Sequence, residues 1–84
     1  MIFKIADGSN KDISVGSQIT INKDYIPNCF SSSDKFVVSK IDQGYPFVHF
    51  YKEEVYTEQN EIEKVRTLVD EESAISPELI IGVY

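Results

Sequence analysis

Apolar and polar residues alternate through much of the first half of the chain, and this alternation predicts strands. In Ile2-Phe3-Lys4-Ile5 an extended backbone puts Phe3 with Ile5 on one side and Ile2 with Lys4 on the other. The run stops at Asp7-Gly8-Ser9-Asn10, a turn cluster that contains the Asp-Gly dipeptide. From Gln18 to Asn22, Ile19 and Ile21 share a face opposite Gln18, Thr20 and Asn22, the period-two pattern of a half-buried second strand. Residues 23–34 contain Pro27 and three consecutive serines, so the chain leaves the sheet there as a long loop, pinned by Tyr25, Ile26 and Phe30. Two β-branched and aromatic runs follow, residues 35–41 and 46–51. Asp42-Gln43-Gly44-Tyr45 separates them, which predicts a central hairpin.

The period changes at Asn60. Ile62, Val65, Leu68 and Val69 recur at helical spacing, and Asn60 with Glu63 forms a capping-box pattern, so a short helix is predicted over 60–70. The rival, a strand over 64–69, breaks alternation because Lys64 and Arg66 would share a face with Ile62 and Leu68. Ser76-Pro77-Glu78 starts no more than one turn before a closing strand at 79–84. That apolar strand must be paired, either within the domain or across a homodimer formed through 79–84.

These elements predict a single domain over 1–84 of the α+β class, mainly β. Its expected form is a small twisted antiparallel sheet or partly open SH3-like barrel of four to five strands, with one short helix near 60–70. The order strand, long loop, hairpin across residues 13–52 resembles SH3-like and Tudor-like barrels. The resemblance implies an architecture only, since it carries no functional motif.

Size agrees with one modest core: the chain has 84 residues, 42% of them hydrophobic, and a domain this small buries roughly 60–65% of its unfolded surface. Its longest apolar run, Leu79–Tyr84, is far shorter than the roughly 20 residues of a membrane span, and the N-terminus lacks a signal-peptide pattern. A lone cysteine, Cys29, rules out an internal disulfide and fits a reducing compartment, so a cytoplasmic location without membrane association is expected.

Charge divides the chain sharply. Residues 1–52 hold six Lys and five Asp, whereas residues 53–84 hold Lys64 and Arg66 against nine acids, so the whole net charge of −6 arises in the last third. Direct nucleic-acid binding is not expected, because no run of Lys and Arg could neutralise successive phosphates.

Candidate chemistry is sparse. His49 is the only histidine and Cys29 the only thiol, a pair without a local catalytic signature. Gly8, Gly16, Gly44 and Gly82 are isolated and form no phosphate-binding loop. Counted from Asp7, an EF-hand loop would need Gly at Asp12 and Glu at Gln18. No metal, no cofactor and no enzymatic activity are therefore expected. Phe30, Tyr45, Tyr51 and Tyr56 could line an aromatic cage for a cation.

The acids remain: Glu53, Glu54, Glu58, Glu61, Glu63, Asp70, Glu71 and Glu72, with Glu78 beyond them. On the expected helix, Glu63 and Asp70 lie together opposite the Ile62-Val65-Val69 stripe. Carboxylates spaced several ångströms apart can occupy Lys and Arg groups that otherwise hold phosphates. The expected function is a small acidic non-enzymatic inhibitor or regulator that docks these residues on a basic surface of a protein partner, including one that normally holds nucleic acid. The alternative is an SH3-like or Tudor-like module reading a peptide or modified side chain through Tyr25, Phe30, Tyr45 and Tyr51.

Overall fold

The computed structural model describes the backbone of residues 1–58 and 62–84, and the side chains of residues 1–51, 69 and 71–84. Its strands in chain order are β1 (Ile2–Lys4), β2 (Asn10–Asp12), β3 (Gln18–Ile21), β4 (Phe36–Asp42), β5 (Tyr45–Glu58), β6 (Ile62–Ala74) and β7 (Ile80–Val83). Among the described residues β1 pairs only with β2, while the others form an antiparallel five-stranded sheet in the order β6-β5-β4-β3-β7. The sheet is open, with β6 and β7 at its edges, and does not close into a barrel.

Gln43-Gly44 sets the centre of the sheet. Both residues have positive φ, 51° and 82°, the signature of a two-residue hairpin turn whose twist suits antiparallel strands. Asp42 and Tyr45 face each other across it, and the expected hairpin is in place. Strand alternation then decides which side chains go inward, on β3 as the sequence pattern of Ile19 and Ile21 predicts. Ile19, Ile21, Phe36, Val38, Val48, Phe50 and Ile80 are buried in one cluster with Phe3, Ile5 and Ile13 from the β1–β2 side and Ile26 and Phe30 from the long loop. Thr20, on the polar side of β3, is also buried. Its partner Gly82 leaves room there for the Tyr84 side chain: a Cβ on Gly82 would come within 2.8 Å of both Thr20 Oγ1 and Tyr84 Oη. Lys35 Nζ lies 4.4 Å from the centroid of the same Tyr84 ring.

The closing strand pairs within the chain, with Ile19 opposite Val83 and Ile21 opposite Ile80. Pro77–Leu79 forms a single 3₁₀ turn before it.

The helix expected near 60–70 is instead β6, from Ile62 onward; the Asn60 cap and Glu61 lie outside the described residues. The cause is visible in the register. β5 and β6 face each other from Phe47–Ala74 to Glu58–Ile62, with a shift at which Lys52 opposes Val69 and Glu53 opposes Thr67. Leu68 is thereby an extra residue, a bulge that resets the period-two pattern. The objection to a strand assumed unbroken alternation from Ile62 to Leu68, and pairing with a long β5 overrides the helical spacing of four apolar residues.

The sheet also forks. β4 and β5 are paired only as far as Val38–Val48, after which Phe36 and Val37 turn to Ile19 and Gln18 of β3, while β5 runs on with β6. Beyond the fork β5 and β6 continue as a two-stranded ribbon. At about 3.4 Å per residue the whole of β5 is roughly 45 Å long, close to the longest dimension of the molecule, 49 Å.

Candidate functional site

The described part of the acidic region is organised around Glu72 at the base of the ribbon. Register places Glu72 opposite His49, and Glu72 Oε2 is 3.3 Å from His49 Nε2. Two further contacts come from β4, on the far side of β5. Ser39 Oγ donates to Glu72 Oε2 at 3.0 Å, and Lys40 Nζ lies 3.4 Å from Oε1. Adjacent residues of a regular strand point to opposite faces. A register shift between Val38 and Lys40 makes Ser39 an extra residue, so both Ser39 and Lys40 are exposed and both reach the same carboxylate. The Ser39 hydroxyl also lies 3.2 Å from the Phe47 carbonyl, and Lys40 Nζ is 4.5 Å from the centroid of the Phe47 ring.

Glu72 thus ties β6 to β4 across the face of β5. The Ser39 hydrogen bond, helped by the positive charge of Lys40 and the contact with His49, holds the Glu72 carboxyl below its ordinary range despite a smaller opposing effect of partial desolvation. In hydrolytic triads the imidazole stands between hydroxyl and carboxylate. Here the carboxylate lies between Ser39 and His49, an arrangement suited to fastening strands.

The remaining predicted acids are distributed along both strands. Glu53, Glu54 and Glu58 are on β5; Glu63, Asp70 and Glu71 are on β6; Glu61 lies outside the described residues. Cross-strand register sets Glu54 opposite Arg66, Glu63 opposite Thr57, Asp70 opposite Tyr51 and Glu71 opposite Phe50. The helical juxtaposition of Glu63 with Asp70 is overturned, because seven residues along a strand separate them by roughly 23 Å. Their shared feature is membership of one ribbon.

An open cleft of about 470 Å³ lies at the fork, lined by Phe30, Phe36 and Val37 together with His49 and Tyr51, and one acid and one base, Asp34 and Lys35, also line it. Phe30, Phe36 and Phe50 form its aromatic support: Phe36 meets each of the other two edge-on at 5.2 Å, and Phe30 and Phe50 are 5.9 Å apart. Tyr51 is 46% exposed. Tyr45, at the turn, is six residues away along β5, roughly 20 Å, so it does not join Phe30 and Tyr51 in one cage; the Tyr56 side chain lies outside the described residues. Tyr25 is exposed on the long loop. Cys29 packs against the core, whereas His49 is exposed and contacts Glu72.

At the other end, Asp7 closes a local turn by accepting hydrogen bonds from Ser9 N at 2.9 Å and Ser9 Oγ at 2.6 Å. These bonds lower the Asp7 carboxyl from its ordinary range. Among the described residues no cluster of three His, Cys, Asp or Glu groups could hold a metal ion, and no helix is long and apolar enough to cross a membrane.

The chain matches no protein-family model, and neither curated proteins nor solved structures provide a significant match.

Sequence reasoning missed the Ser39–Lys40–Glu72 tie. Its members are brought together by a bulge and a three-strand arrangement across a separation of 33 residues, for which local periodicity contains no signal.

Proposed function

We propose that this chain is a non-enzymatic protein-binding module, an inhibitor or regulator that docks its acidic ribbon on a basic surface of its partner. The observation that supports this reading is the concentration of charge on one element: residues 49–72 contain eight acids against Lys52, Lys64 and Arg66, and β5 and β6 place nearly all of them on two paired strands. A ribbon anchored at its base by Glu72 offers a long acidic surface without displacing the core. Carboxylates along it would occupy Lys and Arg groups, including those of a site that otherwise takes nucleic acid.

The test begins with affinity capture by the tagged protein from its native cells, followed by binding kinetics with the captured partner. Raising salt from about 50 to 500 mM shortens the Debye length from roughly 14 to 4 Å and should slow association. Replacing Glu53, Glu54, Glu63, Asp70 and Glu71 together with Lys should abolish binding in a folded variant, and replacing them with Gln should weaken it partially. Binding that survives high salt and charge reversal, yet is lost in Tyr51→Ala, would refute the acidic docking surface and favour an SH3-like or Tudor-like mode of recognition through the aromatic cleft.

A further inference from the structure

We propose that the partner supplies an extended, basic polypeptide segment that enters the cleft between β4 and β5 and continues as an added strand along β5 from Lys52 to Glu58. The inference rests on the reading of the ribbon as a docking surface for a basic protein, and it specifies the form in which the partner binds.

The fork provides the path. Up to Val48 one side of β5 is occupied by β4, but β4 then turns toward β3, and no described strand lies on that side of β5 from Lys52 to Glu58. A strand edge presents a row of backbone donors and acceptors to any extended chain laid beside it. Two strands alone are also marginal in water, and a third supplies pairing that a bare hairpin lacks. Seven residues of β5 give an edge of roughly 24 Å, enough for a segment of about seven residues.

The cleft provides the starting point. In an added strand alternate side chains point to one face, and an apolar residue would settle against Phe30, Phe36 and Val37 in the volume of about 470 Å³. Charge selects the segment. Diagonal and directly opposed side chains on paired strands interact, and like charges there destabilise the pairing. An incoming Lys or Arg meets two strands that carry seven acids and three bases. The same effect disfavours a second copy of this chain, whose own ribbon is equally acidic, and disfavours a nucleic-acid strand.

Three labelled nine-residue peptides test this by fluorescence anisotropy against the full chain. One alternates Lys with Val, one alternates Glu with Val, and the third is the Lys-Val peptide with alternate backbone nitrogens methylated, which removes donors without removing charge. The Lys-Val peptide should bind, and both others should bind at least about tenfold more weakly. Val37→Lys should also weaken Lys-Val binding, and amide exchange should slow at alternate positions of residues 52–58 in the complex. Equal binding of the methylated peptide would overturn strand addition while leaving acidic docking standing. Equal binding of the Glu-Val peptide would overturn the electrostatic reading instead. If the Lys-Val peptide fails to bind, or if sedimentation shows that a second copy holds the β5 edge and the peptide cannot displace it, the inference fails.

Discussion

Replacing Phe36 with Leu tests whether the aromatic support of the fork is assembled as described. Phe36 is 5% exposed and makes edge-on contacts with Phe30 and Phe50, each at a centroid distance of 5.2 Å. Leu keeps most of the buried apolar area but removes both ring contacts. Such contacts contribute about 0.5–1.5 kcal/mol each beyond area burial, so the expected loss is about 1–3 kcal/mol. A folded chain of 84 residues has a total stability of roughly 4–13 kcal/mol. Leu should therefore leave a folded protein, whereas Ala, at about 3–5 kcal/mol for a buried Phe, brings it near unfolding. A loss of about 2 kcal/mol should lower Tm by roughly 8–16 °C. Urea titrations of the wild type, Phe36→Leu, Phe50→Leu and the double variant should show unchanged m-values and a coupling of about 0.5–1.5 kcal/mol. Val37→Thr, at the exposed neighbouring position, should change stability by less than about 0.5 kcal/mol. Zero coupling, or a Val37→Thr loss equal to that of Phe36→Leu, would refute the packing described at the fork.

Deleting residues 79–84 should abolish cooperative melting, because it removes fully buried Ile80 and the strand that pairs with β3; a truncated chain with unchanged melting and mass would show the segment to be dispensable. In the turn, Gly44→Ala should cost about 1–2 kcal/mol, since Gly44 has φ of 82° and left-handed backbone penalises a Cβ, while Gln43→Asn should gain a few tenths by the same preference; both are read from urea midpoints. The Glu72 tie should give a pH-dependent effect of Ser39→Ala. Because the folded carboxyl sits below its ordinary value of 4.5, its contribution is complete above that value and is lost as pH falls through the lower folded one. The stability difference between wild type and Ser39→Ala should therefore be largest near neutral pH and shrink below about 4.5, and a difference that grows on acidification would contradict the contact.

How far the sequence specifies this protein can be followed through particular elements. Alternation in 2–5 and 18–22 located strands and the apolar sides of Phe3, Ile5, Ile19 and Ile21, because period two encodes which side chains can leave water together, while β-branched and aromatic composition located the runs at 35–41 and 46–51; the burial of Thr20 was not legible in that pattern. The Gly-containing stretch Asp42-Gln43-Gly44-Tyr45 located the hairpin because glycine adopts positive φ without a Cβ penalty, whereas the positive φ of Gln43 became visible only in the structure. The concentration of acids in the last third was equally plain, since charge is counted without knowing the fold. Tertiary structure decided the rest. Residues 62–70 are compatible with a helix in isolation, and only pairing with an unusually long β5, through a bulge at Leu68, makes them a strand. A bulge at Ser39 likewise turned two consecutive residues toward Glu72, and the parting of β4 from β5 created the cleft. These features depend on register between distant segments, where one extra residue moves every later side chain to the opposite face.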